Sequence, residues 1–221
     1  MQKLVEGLHK FRSEVFNSNQ ELFQPLVDGQ RPEVLFVTCS DSRVAPNLIT
    51  QTNPGELFIL RNAGNIIPPY GPWCGGEAAT VEFAVVGLGV RHIIVCGHTS
   101  CGAMGALLDP RLLDGAPAMR AWLTHAEATL RVVEENYPHI TGPARLTVAV
   151  EENVLTQIEH LRTHPAVRAK VARGELSLHA WVYKIATGEV FQYDAAQAQF
   201  VAFTTSTPLS PLAPSDRLRS L

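Results

Sequence analysis

Two cysteines and a histidine in this chain have the residue types and the spacing of a metal site. Cys39 stands well before His98 and Cys101, which are separated by two residues. Two thiolates and an imidazole are a ligand set that zinc prefers, and they leave a fourth coordination position to be filled. Three protein ligands plus an exchangeable one make a catalytic site, whereas four fixed ligands usually make a structural site. The occupant of the fourth position therefore decides what chemistry is open to this cluster.

Two other interpretations of the same residues remain open. In the first, Cys39 and Cys101 are small buried hydrophobic residues and His98 is a hydrogen-bonded core residue. In the second, His98 activates one cysteine as a nucleophile. The nucleophile hypothesis leaves the other cysteine without a role, so zinc is the preferred interpretation.

A carboxylate and a guanidinium, those of Asp41 and Arg43, follow Cys39 closely. Asp41 is near enough in sequence to be the fourth ligand itself. Alternatively, Arg43 binds both carboxylate oxygens and holds Asp41 away from the metal. A surface ion pair is the plainest alternative and would contribute little. Because the pair lies beside Cys39, we assign it to the site.

The hydrophobic pattern predicts an α/β fold that brings these residues together. Continuous apolar runs at 34–38, 57–60 and 92–96 are typical of strands buried on both faces of a parallel sheet. Helices are predicted at 77–88, 101–108, 122–133, 151–161 and 166–173, and a strand hairpin at 178–185 and 190–193. The alternation implies right-handed crossovers and a central, mostly parallel sheet of four parallel strands plus an edge strand, flanked by helices.

The carboxyl ends of parallel strands are where ligands gather in such folds. Cys39 follows the first strand directly, and His98 lies two residues past the third. Cys101 would begin the next helix, where unpaired backbone N–H groups favour a thiolate. We therefore expect the three side chains to meet at one edge of the sheet.

The N-terminus carries a separate signal. Leu4, Leu8, Phe11 and Val15 follow a helical spacing and predict an amphipathic helix. Two placements stay open, because the helix packs either on its own domain or across a partner subunit. We expect a single domain over residues 1–204, with 1–30 as an N-terminal helical arm, and a loose Pro/Ser-rich tail at 205–221.

Composition narrows the class of protein. The 221 residues are 46% hydrophobic and 18% charged with a net charge of −3, which is typical of a globular protein and gives no electrostatic case for nucleic acid or a membrane surface as partner. Four cysteines are too few for a disulfide scaffold and favour free thiols or metal ligands in the cytoplasm. Cys74 and Cys96 are interpreted as structural, and Arg61, Asn62 and Asn65 as turn and hydrogen-bonding residues close to the site. Four histidines lack the spacing of metal ligands, and a proton-shuttle role stays open for one of them: His125, His139, His160 and His164.

Three segments resemble the β-class carbonic anhydrases. They are CSDSRV at 39–44, RNAGN at 61–65 and GHTSCG at 97–102, and the similarity runs over roughly residues 1–204. It is closest to the bacterial, cyanobacterial and plant-chloroplast branch. The resemblance implies one Zn²⁺ per subunit on Cys39, His98 and Cys101, with an Asp41–Arg43 dyad.

The resemblance also implies an activity and an assembly. The expected reaction is the reversible hydration of CO₂ to bicarbonate and a proton by attack of a zinc-bound hydroxide. Family members are at least homodimers, often tetramers or larger, and their N-terminal helix embraces the neighbouring subunit. The alternatives are a zinc hydrolase of the same fold acting on CS₂ or COS, and a non-catalytic zinc scaffold, with a carboxysome as the alternative location.

Substrate-pocket positions of the family correspond to Gln30, Phe58 and Gly102, with Gln30 and Phe58 reaching the site across the dimer interface. Phe83 stands where many members have a tyrosine, so the pocket loses a hydroxyl.

A subgroup of the family binds bicarbonate at a second site and thereby closes the metal site, with the fourth position taken by Asp41. That second site uses a tryptophan, an arginine and a tyrosine. Here Phe36 replaces the tryptophan, Arg61 is retained, and Tyr183 is a candidate for the tyrosine. The replacement predicts an open site, in which water takes the fourth position.

Overall fold

The protein, seen in a computed structural model that describes residues 1–72 and 75–212, is built on one six-stranded sheet. The strands are β1 Val34–Cys39, β2 Leu57–Asn62, β3 His92–His98, β4 Ser177–Tyr183, β5 Val190–Asp194 and β6 Gln199–Ala202. Their order is β2-β1-β3-β4-β5-β6; the first four run parallel, and β5 and β6 are antiparallel to their neighbours. The predicted α/β class and parallel sheet are confirmed.

Helices connect and cover the strands. They are α1 Gln2–Lys10, α2 Gln20–Phe23, α3 Pro46–Thr50, α4 Gly76–Glu82, α5 Gly102–Leu108, α6 Pro117–Leu123, α7 Glu127–Asn136, α8 Gly142–Thr163 and α9 Pro165–Ala172. Helices α1 and α4 continue into π-helical turns at Phe11–Phe16 and Phe83–Leu88. No helix within the described ranges is both long enough and apolar enough to span a bilayer.

The longest helix, α8, packs directly on the strand that ends at His98. Gly97 makes this approach possible, since a Cβ added there would lie 2.7 Å from Val154 Cγ2 and 3.2 Å from Val150 Cγ1. Val150 and Val154 are buried in the main core with the alternate side chains of the strands. A glycine immediately before His98 therefore sets the distance between α8 and the end of β3.

The sheet has one strand more than the sequence predicted. The strand β6 is only four residues long, and the turn before it carries no glycine, proline or asparagine. Asp194 instead accepts hydrogen bonds from the backbone N–H groups of Ala196 and Gln197, and Ala198 adopts the left-handed conformation at φ 53°. The predicted single edge strand is therefore wrong, because an Asx turn and a left-handed alanine replace the usual turn residues.

Part of the predicted tail is docked on the sheet. Gln192 donates to the carbonyl of Pro208 at 2.7 Å and accepts from the Ser210 N–H at 3.2 Å. Leu212 is buried, and its N–H donates to the carbonyl of Leu178 at 2.9 Å. Packing thus continues to Leu212, while residues 213–221 and Cys74 lie outside the described residues.

The N-terminal helix exposes its apolar positions in the single chain. Leu4 is 64% exposed, Leu8 70% and Phe11 45%. The helix itself is present as predicted, and its packing on a partner subunit stays a prediction.

Candidate metal centre

The strand register places the three predicted ligands at one edge of the sheet. Strands β1 and β3 are adjacent and parallel, so Cys39 and His98 end neighbouring strands on the same side. Cys101 is the N-cap residue of α5, two residues after Thr99. The ligand atoms of Cys39, His98 and Cys101 all lie within 4.8 Å of one another, and all three residues are buried.

His98 presents a bare ring nitrogen to the cysteines. Its Nδ1 lies 3.0 Å from the Thr99 carbonyl, which only accepts, so Nδ1 carries the proton and Nε2 keeps a lone pair. The Nε2 atom is buried and has no hydrogen-bond partner among the described residues. Asp41 Oδ2 lies 3.8 Å away, too far for a hydrogen bond. A buried acceptor without a partner is costly, and a metal ion would satisfy it.

The two sulfur atoms are also arranged for a cation. Cys39 Sγ accepts from the Gly64 N–H at 3.4 Å, and backbone N–H groups at the start of α5 stabilise the Cys101 thiolate. A hydrogen bond from Cys101 lowers the pKa of Cys39 to about 4, and the same contact raises the pKa of Cys101. The two shifts are opposite because one sulfur donates to the other, and a divalent cation between them would favour both thiolates. The donor set fits zinc.

Asp41 and Arg43 form a two-point pair beside this cluster. Arg43 Nε donates to Asp41 Oδ1 at 2.9 Å and its Nη2 to Oδ2 at 2.7 Å. These bonds hold the pKa of Asp41 well below its usual range. Arg43 Nη2 also donates to the Ser100 carbonyl at 3.1 Å, which ties the pair to the turn that carries Cys101.

Arg61 fixes the backbone that leads from Cys39 to Asp41. Its Nε donates to the Cys39 carbonyl at 3.0 Å and its Nη2 to the Asp41 carbonyl at 2.9 Å. Phe36 is fully buried in a cluster separate from the α8 core, where its ring packs edge-to-face with Trp181 at 6.2 Å. Tyr183 belongs to the same cluster. The ring of Phe36 is thus in contact with another aromatic ring, and the guanidinium of Arg61 is hydrogen-bonded to the backbone between Cys39 and Asp41.

The predicted substrate residues fall into two groups. Gly102 is the first residue of α5 and adjoins Cys101. Phe58 and Phe83 contact each other, with ring centroids 5.9 Å apart. Phe58 pairs with Leu35 in the register, four residues before Cys39, which places it about 13 Å along the strands from the ligands.

Gln30 is exposed in the connection before β1. Gln30 and Phe58 therefore lie toward the amino ends of the strands, away from the metal cluster of their own chain. Their action across a dimer interface stays a prediction.

Polar residues on α8 hold the loop after β2, a role that the sequence interpretation did not assign to them; Asn153 and Gln157 are buried and His160 is half-buried. Asn153 Nδ2 donates to the Gly64 carbonyl at 2.9 Å, and Gln157 Oε1 accepts from the Ile67 N–H at 2.9 Å. His160 Nδ1 lies 2.8 Å from the Ile67 carbonyl. Their spacing of four and three residues puts them on one face of the helix. Polar residues on the core-facing side of this amphipathic helix were the signal in the sequence.

Comparisons with known proteins show the family of this chain. A family model described as carbonic anhydrase matches residues 34–190. A carbonic anhydrase from Synechocystis sp. is 51% identical over 217 residues, covering 98% of this chain and 78% of that protein. A carbonic anhydrase from Pseudomonas aeruginosa is 46% identical over 202 residues, covering 91% of each.

Solved structures show the same fold. The structure of the beta-carbonic anhydrase CcaA has a TM-score of 0.89 at 53% identity, covering 91% of this chain and 98% of that one. A tetrameric beta-carbonic anhydrase from the filamentous ascomycete Sordaria macrospora has a TM-score of 0.77 at 30% identity, covering 86% of this chain and 95% of that one. Sheet, ligand cluster and sequence similarity together show that this chain belongs to the β-class carbonic anhydrases, a family of enzymes.

Proposed function

We propose that this protein catalyses the reversible hydration of CO₂ to bicarbonate and a proton, with one Zn²⁺ per chain held by Cys39, His98 and Cys101. The observation that carries the proposal is the buried, unpaired Nε2 of His98, which faces two sulfurs beside an Arg-bound carboxylate. Membership of the β class supports the same conclusion.

A zinc ion in this site supplies a water of lowered pKa as the nucleophile. Asp41 offers an ionised carboxylate that accepts a hydrogen bond from the attacking water and orients it. Arg43 keeps this carboxylate ionised and occupies both of its oxygens, at 2.9 and 2.7 Å. Because both oxygens are bound to Arg43, we infer that Asp41 stands beside the metal rather than on it, and that the fourth position is open.

We further propose that the working unit is at least a homodimer. Gly102 would line the substrate pocket beside Cys101, and Gln30 and Phe58 would reach the site of the neighbouring subunit, with Phe83 in contact with Phe58. The exposed apolar side chains of α1, such as Leu8 at 70% exposure, would be buried in such an interface. The Sordaria macrospora relative is described as tetrameric.

The test combines zinc quantification with stopped-flow CO₂ hydration on the same sample. We expect about one zinc per chain, turnover that a chelator removes, and turnover that added zinc restores. Cys39→Ser should lose both metal and turnover. Cys96→Ser is the matched control, because Cys96 is equally buried but lies outside the ligand cluster.

Two outcomes would contradict the proposal. Zinc bound at full occupancy without CO₂ hydration would indicate a scaffold protein. Turnover with COS or CS₂ but not with CO₂ would indicate the related hydrolase.

A further inference from the structure

We propose that Asn153 on α8 is a positioning residue for the metal ligand Cys39, acting through the backbone of Gly64. Asn153 holds the Gly64 carbonyl, and the Gly64 N–H in turn donates to the Cys39 sulfur. The inference rests on the proposed metal site, and it adds a residue that lies far from the ligands in sequence and touches none of them.

Gly64 is fixed by two hydrogen bonds and by close packing at its Cα. Its N–H donates to Cys39 Sγ at 3.4 Å, and its carbonyl accepts from Asn153 Nδ2 at 2.9 Å. Its φ of +84° is a conformation that favours glycine, and an added Cβ would lie 3.0 Å from Ala103 Cβ and 3.2 Å from Met104 Cε. The residue therefore has little freedom to turn its N–H away from the sulfur while its carbonyl stays bound.

The orientation of the Asn153 amide follows from a chain of hydrogen bonds with one allowed direction. The Ile67 N–H can only donate, so Gln157 accepts with Oε1 and presents its Nε2 to Asn153. Gln157 Nε2 donates to Asn153 Oδ1 at 2.9 Å, which leaves Asn153 Nδ2 facing the Gly64 carbonyl. Asn153 is 1% exposed and Gln157 fully buried, so water does not compete for these bonds.

A hydrogen bond to a metal-bound thiolate has two effects. It stabilises the anionic sulfur, which favours metal binding, and it lowers the energy of the sulfur lone pairs that donate to the metal. Removal of a residue that orients a metal ligand through hydrogen bonds typically lowers metal affinity about tenfold to a hundredfold. Loss of the Asn153 amide should therefore weaken metal binding without removing a ligand.

Two variants test the proposal. Asn153→Asp keeps the shape of the side chain but replaces the donor with an oxygen, and Asn153→Ser shortens it beyond reach. Thr163→Val is the control, because Thr163 on α8 is also hydrogen-bonded to this loop: its hydroxyl accepts from the Tyr70 N–H at 2.8 Å, at the far end of the loop from Gly64.

Two measurements separate positioning from general stability. The first is metal affinity by competition with a chromophoric chelator. The second is the sulfur-to-metal charge-transfer band of the Co²⁺-loaded protein, which moves to lower energy when a thiolate loses a hydrogen bond. We expect about tenfold or greater loss of affinity and a shift to lower energy in both Asn153 variants, and neither change in Thr163→Val.

An unchanged band and affinity in a folded Asn153 variant would overturn the proposal, and so would an equal shift in Thr163→Val. If neither Asn153 variant folds, Gln157→Glu removes the donor that orients Asn153 and should shift the band in the same direction. A cadmium-loaded wild-type protein supplies a further check, since a scalar coupling between the metal and the Gly64 amide proton must be present. A wild-type protein that binds no Co²⁺ would contradict the proposed function instead, so the two failures are distinguishable.

Discussion

The chain contains the same Asp-x-Arg pair twice, in two different surroundings. Arg43 holds Asp41 through Nε and Nη2 at 2.9 and 2.7 Å, and Arg111 holds Asp109 through the same atoms at 2.8 and 2.8 Å. Asp41 lies beside His98 and its side chain is 17% exposed, whereas the Asp109 side chain is 36% exposed and the Arg111 side chain 87%. The residues Asp-x-Arg are enough to form the ion pair, but only the copy at the carboxyl end of β1 lies beside the candidate metal ligands.

The buried histidines of the sheet repeat this contrast. His98 is fully buried and His179 is 4% exposed, and each has one ring nitrogen without a partner among the described residues. The other nitrogen of His179 lies 3.2 Å from His92 Nδ1, and burial lowers the pKa of His179 to about 4. Only His98 shares its surroundings with two sulfurs. An unpaired nitrogen indicates a metal site only where other ligands converge on it.

The largest expected effect separates the two histidines. His98→Asn should leave almost no bound zinc and no turnover, because a ligand is removed. His179→Asn should keep both. Zinc content after dialysis and CO₂ hydration measured on both variants check this contrast. Retention of zinc by His98→Asn would contradict the proposal that His98 is a metal ligand and His179 is not.

The next effect separates the two aspartates. Asp41→Asn should keep zinc but lose roughly a hundredfold or more in turnover, because a neutral amide accepts a hydrogen bond from the attacking water less strongly than a carboxylate and orients it less well. Asp109→Asn, with the same local geometry, should match the wild-type protein. Full activity in Asp41→Asn would remove Asp41 from the mechanism and leave the two pairs equivalent.

A smaller effect is expected from the two arginines. Arg43→Gln should lower kcat/KM by about tenfold, since the carboxylate is still present but no longer held in place. Arg111→Gln should change neither kcat/KM nor zinc content. Tighter zinc binding combined with lost turnover in Arg43→Gln would show that Arg43 keeps Asp41 off the metal.

The smallest effect on activity, and a distinct effect on stability, belongs to His179. Its pKa is about 4 in the folded chain, against an ordinary value of 6.5. Between these values the unfolded state binds more protons, so this residue makes the free energy of unfolding fall as the pH drops from about 6.5 to about 4. His179→Asn should reduce that fall by roughly 2 to 3 kcal/mol.

Urea denaturation of wild-type and variant proteins at about pH 7.5 and about pH 4.5 measures the effect. The comparison between variants cancels any loss of metal in acid. If the free energy of unfolding has the same pH dependence in both proteins, a group other than His179 causes its fall in acid.

Much of the fold and the ligand cluster was predictable because the signals are local or topological. The apolar runs that became β1, β2 and β3 are continuous, and parallel strands in register bring Cys39 and His98 to one edge whatever the intervening chain does. The strand β6 was missed because Ala198 takes a left-handed conformation that sequence patterns assign to glycine. Docking of the segment up to Leu212 was missed because it depends on Gln192, a single polar residue on a distant strand.

The amino-acid sequence by itself determined the ligand types, the alternation of strands and helices, and the Asp-x-Arg pairs, because these depend on neighbours in the chain. Tertiary structure alone decided that His98 keeps a ring nitrogen without a hydrogen-bond partner beside two sulfurs, whereas the unpaired nitrogen of His179 lies outside that cluster. It also decided that Asn153 reaches the loop behind Cys39. Such contacts join residues far apart in the chain, and they form only once α8 has packed against Gly97 and the ends of the strands have been brought together.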